Sequence, residues 1–193
     1  MGTIFTTDQS LDINAAAVGT LASPASGTVT AVMKYVAGYA QITFTLDAAR
    51  IAVTDAAGSG SYGSLKLMDM APGSWHFLSS RVDFTAYSPD GTGVPNDAVF
   101  DIGVGTGAIS AAADGVLTGD ATYDNVAAKV DQTLSGGTVT GTALDAANAV
   151  VDGTGTDLDL NLNWSGTGAT IDGDGTIDVT GTITVNAVWL GDD

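Results

Sequence analysis

The chain has 193 residues, no cysteine, and 22 acidic against 5 basic residues, for a formal charge of −17. Without cysteine, thiol catalysis, disulfides and thiolate metal sites are excluded. So few Lys and Arg cannot neutralise phosphates, which excludes nucleic acid and anionic membranes as partners. Every acidic residue is Asp, and the polar remainder is mostly Thr, Gly and Ser. Thr and Val favour pleated surface while Asp and Gly favour turns, so the expectation is an all-β chain. Its length suits one domain that buries roughly 70% of the surface the unfolded form exposes.

In chain order, residues 1–28 show little periodicity and end in Ser23-Pro24-Ala25-Ser26-Gly27. They read as an extended N-terminal arm or a short edge strand leading into the body, which residues 29–193 form. Met1–Asp8 has neither a basic nor an apolar signal segment. Val29 and Ala31 alternate with Thr30, and Ile42, Phe44 and Leu46 with Thr43 and Thr45, which predicts two strands with one buried face each. A loop at 55–63 precedes Leu65–Met70, and Pro72-Gly73 introduces Trp75–Leu78. Val82, Phe84 and Ala86 share a face of the next strand, which stops at Ser88-Pro89-Asp90-Gly91. Phe100, Ile102 and Val104 define another.

Tyr123, Val126, Ala127 and Val130 recur at helical spacing, with Thr122 placed to cap, Asp124 in the first turn and Lys129 in the last. A short helix is expected there. Leu144, Ala147, Asn148 and Val151, closed by Asp152-Gly153, suggest a second. Strict alternation then returns in Leu158/Leu160/Leu162/Trp164 and in Ile177/Val179/Ile183/Val185/Trp189. The last run, Thr176–Leu190, is longer than an ordinary strand of about five or six residues. Gly181 stands where an apolar residue is due, so a bulge or bend there is expected to carry the run from one sheet edge to another. Eight to ten strands with Gly-rich turns predict a jelly-roll-like or Ig-like β-sandwich with at most one or two short helices.

Few residues carry a chemical signal. Gly58-Ser59-Gly60-Ser61-Tyr62-Gly63 matches a dinucleotide fingerprint in form, but a strand follows it where a helix is required, so it reads as a hairpin loop. His76 is the only histidine, and a β-sandwich hydrolase would have to use it. Asp172, Asp174 and Asp178 are the candidate metal ligands, although calcium needs six to eight oxygens. No motif calls for a cofactor. Asp157, Asp159 and Asp178 alternate with the buried residues, and no Lys or Arg follows Lys129, so these carboxylates are expected to meet either salt or a basic partner. Val188 and Leu190 make the end of the last run apolar on both sides, which predicts that another subunit covers it. Trp75 and Phe77 are further candidate interface anchors, since aromatics are enriched in interface cores.

The run from Gly175 to Val185, Gly-Thr-Ile-Asp-Val-Thr-Gly-Thr-Ile-Thr-Val, with its ending Trp189-Leu190-Gly191-Asp192, resembles small β-rich structural proteins of tailed bacteriophages that decorate or cement the capsid. Val99–Gly107 and Asp8-Gln9-Ser10-Leu11-Asp12 share the likeness. The resemblance implies a homotrimeric sandwich on the outer capsid surface, with an extended arm and the major capsid protein as partner. It implies synthesis in the host cytoplasm, and it carries no catalytic residues. A tail-fibre or surface-layer type binding module is the alternative.

Overall fold

The computed structural model describes residues 18–56, 60–110, 117, 122–133, 150–156, 158–166 and 171–191. Ten strands lie among them: β1 (Gly19–Leu21), β2 (Thr28–Val36), β3 (Tyr39–Asp55), β4 (Ser61–Met70), β5 (Ser74–Pro89), β6 (Val99–Gly105), β7 (Ala127–Thr133), β8 (Val150–Val151), β9 (Asp159–Gly166) and β10 (Gly175–Gly191). They form one antiparallel sheet in the order β7-β6-β9-β4-β3-β10-β5-β8, with β1 on β4 and β2 on β3. The fold is all-β, of the β-sandwich or jelly-roll-like class.

The sheet curls because β3 serves both halves. Its first part, Tyr39–Asp47, pairs with β2, and its last residues, Val53–Asp55, pair along the same edge with β4. Tyr87 on β5 and Phe100 on β6 are far apart in strand order, yet their rings meet edge-on at 5.3 Å. Phe84 joins that chain at one end and Trp164 stacks on Phe100 at the other. The two halves therefore face each other across a single core that contains the apolar phase of every long strand.

The long strands bend together at one level. Opposite Thr180, β3 sets two residues, Asp47 and Ala48, against one, with Ala48 at φ 47°, and β5 inserts Thr85. Thr180 ties both bulges: its Oγ1 accepts from the Ala48 amide at 3.1 Å, and its carbonyl accepts from Thr85 Oγ1 at 3.2 Å. Gly181 adopts φ 153°, and a Cβ there would sit 2.4 Å from the Asp83 carbonyl oxygen. The expected irregularity is present, but the extra residues belong to the neighbouring strands. β10 stays between β3 and β5 on both sides of the bend. The segments Trp75–Leu78 and Arg81–Tyr87 are likewise one strand, β5, made continuous by bulges.

Other expectations are corrected. The helix expected from Thr122 to Val130 does not form: residues 122–126 turn and β7 pairs with β6. The backbone groups a helix would use are engaged elsewhere, because the Tyr123 carbonyl accepts from Asn163 Nδ2 at 2.8 Å and the Val126 amide donates to the Val104 carbonyl at 3.0 Å. Val151, assigned to a second helix, lies in β8 against Trp75; residues 144–149 fall outside the described residues. So do residues 1–17, while Val18 is fully buried and Gly19–Leu21 pairs with β4 as a short strand leading into the body.

Alternation in β9 does not mark a wet face. Asn161, Asn163 and Ser165 are buried beneath a second layer made by Ile109, Leu117 and Tyr123 with Tyr62. Asn163 is the bolt between the layers: its Nδ2 donates to the carbonyls of Gly107 and Tyr123, both at 2.8 Å, and its Oδ1 accepts from Ser64 Oγ and the Ile109 amide. Gly105 lets the covering chain approach, since a Cβ there would lie 2.2 Å from the Thr122 carbonyl oxygen.

Gly181→Val is expected to lower the unfolding free energy by about 2 kcal/mol or more through backbone strain and the clash with β5; an unchanged urea midpoint would refute the close approach. Asn163→Ala should cost about 2–3 kcal/mol, because it strands buried carbonyls. Amide exchange at Ile109 should accelerate in the same variant, and retained protection would show that the layer is held otherwise.

Candidate interaction surfaces

The residues picked out for chemistry are largely committed to structure. Asp178 is bound bidentately by its cross-strand neighbour Arg50, Nε to Oδ1 at 2.7 Å and Nη2 to Oδ2 at 2.8 Å. Asp174 Oδ1 accepts from the Asp55 amide at 2.7 Å, and the Asp172 amide donates to the Gly93 carbonyl. Among the described residues no group of three or more ligating side chains is arranged to hold a metal ion. Asp159 is paired with Lys66 at 3.0 Å, and Lys66 also contacts Asp69. The carboxylates of the C-terminal strands thus find cations from earlier in the chain, which sequence distance had concealed. Asp157 lies outside the described residues.

Trp75 and Phe77 have no exposed surface. They occupy the inward phase of β5, and Trp75 Nε1 donates to the Ala71 carbonyl at 3.0 Å. Anchoring a partner needs accessible area, which on this strand belongs to their outward neighbours. His76 is one of those, with Val188 and Val150 as its cross-strand neighbours.

Val188 and Leu190 do belong to a surface. Register places Val36, Tyr39, Val188, His76 and Val150 in one row on the outer face, across β2, β3, β10, β5 and β8. Val36 is 45% exposed, Tyr39 40% and Val150 61%, and Val188 is half-buried. Leu190, at 55%, is an extra residue in β10 between the Trp189 and Gly191 pairings, and Leu78, at 40%, is an extra residue in β5. A bulge re-aims its side chain, and here each bulge leaves a leucine exposed beside the row. The adjoining row has no carboxylate and is hydrogen-bonded: the Tyr39 hydroxyl and Gln41 Nε2 donate to Asn186 Oδ1, and Asn186 Nδ2 donates to Ser79 Oγ. Lys34 ends that row on β2. Besides Val188 and Leu190, a sequence signal for this surface lies in the phase of β2, where Val32 and Val36 share the wet positions of Thr28, Thr30 and Lys34.

The opposite end of the same half is acidic. Asp90, Asp172 and Asp174 are exposed there, with Asp55 half-buried among them. Asp90 organises the corner between β5 and β10. Its Oδ1 accepts from the amides of Thr92, Gly93 and Val94 at 2.9–3.0 Å, and its Oδ2 from Thr176 at 2.7 Å. Desolvation opposes its charge, but those backbone donors together prevail and hold its carboxyl below the usual range.

No family model, curated protein or solved structure matches the chain.

A depressed carboxyl stabilises the fold fully above its unfolded value, near pH 4, and that contribution fades as pH falls through the folded value. Urea titrations should therefore show a gap between wild type and Asp90→Asn that is widest at neutral pH and closes below about pH 4. A gap of constant size across that range would mean that the ionised carboxylate is not what holds the corner.

Proposed function

We propose that the protein is a structural component of a virus particle: a decoration or cement protein that seats on the outer surface of a tailed-phage head between capsomers and stabilises the shell. The observation that carries this reading is the separation of an acidic corner at one end of the β3–β10–β5 half from an apolar row at the other. That is the layout of a module built to join surfaces. The resemblance of Gly175–Val185 and of Val99–Gly107 to such proteins supports it, as does the all-β fold. The exposed carboxylates at the Asp90 corner suit a basic patch on the major capsid protein, since complementary charge steers docking and fixes register.

The mechanism is linkage. A protein that binds the assembled shell and not its separated subunits shifts the equilibrium towards assembly. Several copies held together multiply weak contacts into durable ones.

Heads stripped of their surface proteins and mixed with the recombinant chain should carry it through sedimentation and should rupture at a higher temperature than bare heads. Added salt and the double variant Asp172→Asn, Asp174→Asn should both weaken the binding. No co-sedimentation together with an unchanged rupture temperature would sink the reading, and binding to cell-surface glycan instead would favour a tail-fibre or surface-layer role.

A further inference from the structure

We propose that the apolar end of the outer sheet face, the row Val36–Tyr39–Val188–His76–Val150 with Leu190 beside it, is where a second copy of this chain docks. The inference concerns the free protein and does not rest on the capsid reading.

Charge selects the occupant. Two bodies of −17 repel, and most ways of bringing two copies together oppose carboxylates. This row and the next one, Lys34–Gln41–Asn186–Ser79, contain no acidic residue. Arg50, Lys66, Arg81 and Lys129 are each paired with Asp, so Lys34 is the one cation without an ion pair among the described residues. A basic partner would find its complement at the Asp90 corner and be turned away here. An identical chain, by contrast, necessarily brings an apolar row of the same width, and a two-fold contact is self-complementary by construction. Twisted sheets pack face to face with their strands within about 30° of alignment, which sets row against row and leaves the amides and Lys34 at the rim.

The size of the patch sets the strength. Five strands at about 4.8 Å spacing span roughly 19 Å, and the two rows with Leu190 beside them span about 14 Å along the strands. The product, on the order of 300 Å2, is well short of the roughly 800 Å2 per partner of a stable interface. The contact is therefore reversible, and copies held side by side on a lattice would make it more readily than copies in dilute solution.

Sedimentation velocity over the micromolar to near-millimolar range tests this directly. Wild-type mass should rise with concentration, while Val36→Asp and Leu190→Asp should stay monomeric with urea midpoints close to wild type, as expected of exposed positions. Asp172→Asn with Asp174→Asn should not weaken the association. Added salt should strengthen it, because screening removes repulsion between acidic bodies while apolar burial persists. A wild type that remains monomeric throughout, variants that associate as wild type does, or an association that weakens with salt would each overturn the proposal.

Discussion

The pairing of β10 along both of its edges is the constraint on which the rest depends. From Gly175 to Gly191 it lies between β3 and β5, so any curvature of the half sheet must be made by all three strands at once. They do so at Thr180–Gly181, where the bulges at Asp47–Ala48 and Thr85 flank the bend. The bend aims the end of β3 into the other half, where Val53–Asp55 meets β4. One core then replaces two. The aromatic chain from Phe84 through Tyr87 and Phe100 to Trp164 fills it, at the cost of burying a Tyr87 hydroxyl and a Trp164 indole N–H that have no hydrogen-bond partner among the described residues.

Much of this architecture was legible in the residues. Alternation located the buried phase of β2, β3, β6, β9 and β10, and a glycine in the apolar phase located the bend. What alternation cannot report is what lies on the other side of the strand. Asn161, Asn163 and Ser165 look like a wet face, but they are the floor of a second layer. A buried amide with all its hydrogen bonds satisfied and a solvated one are the same letter in a sequence. The mistaken helix at 122–130 has a related cause: helical spacing was real, but the Tyr123 carbonyl and Val126 amide are taken by groups distant in sequence. Local propensity is a weak prior where tertiary partners compete for the same backbone atoms.

The interaction surfaces were less legible than the fold. Val188 and Leu190 stood out because two adjacent apolar phases met at a strand end. Val36, Tyr39 and Val150 did not, because each is a single apolar residue in its own segment, and scattered exposed apolar residues are ordinary. Only register turns them into a row. Trp75 and Phe77 show the converse, since aromatic content drew attention to them while their phase put them inside.

Charge accounts for why that row matters. Four of the five cations act as internal cross-links, joining β3 to β10, β4 to β9 and β6 to β7, and bracing β5. With those cations neutralised in place, the accessible surface is left dominated by carboxylate. Two further irregularities, apart from the bend, leave Leu78 of β5 and Leu190 of β10 exposed beside a row that contains no carboxylate. The bend at Thr180–Gly181 and the non-acidic patch are therefore set by different bulges of the same strands. A variant that removed the extra residue at Leu78 would alter the patch and leave the Thr85 bulge at the bend in place.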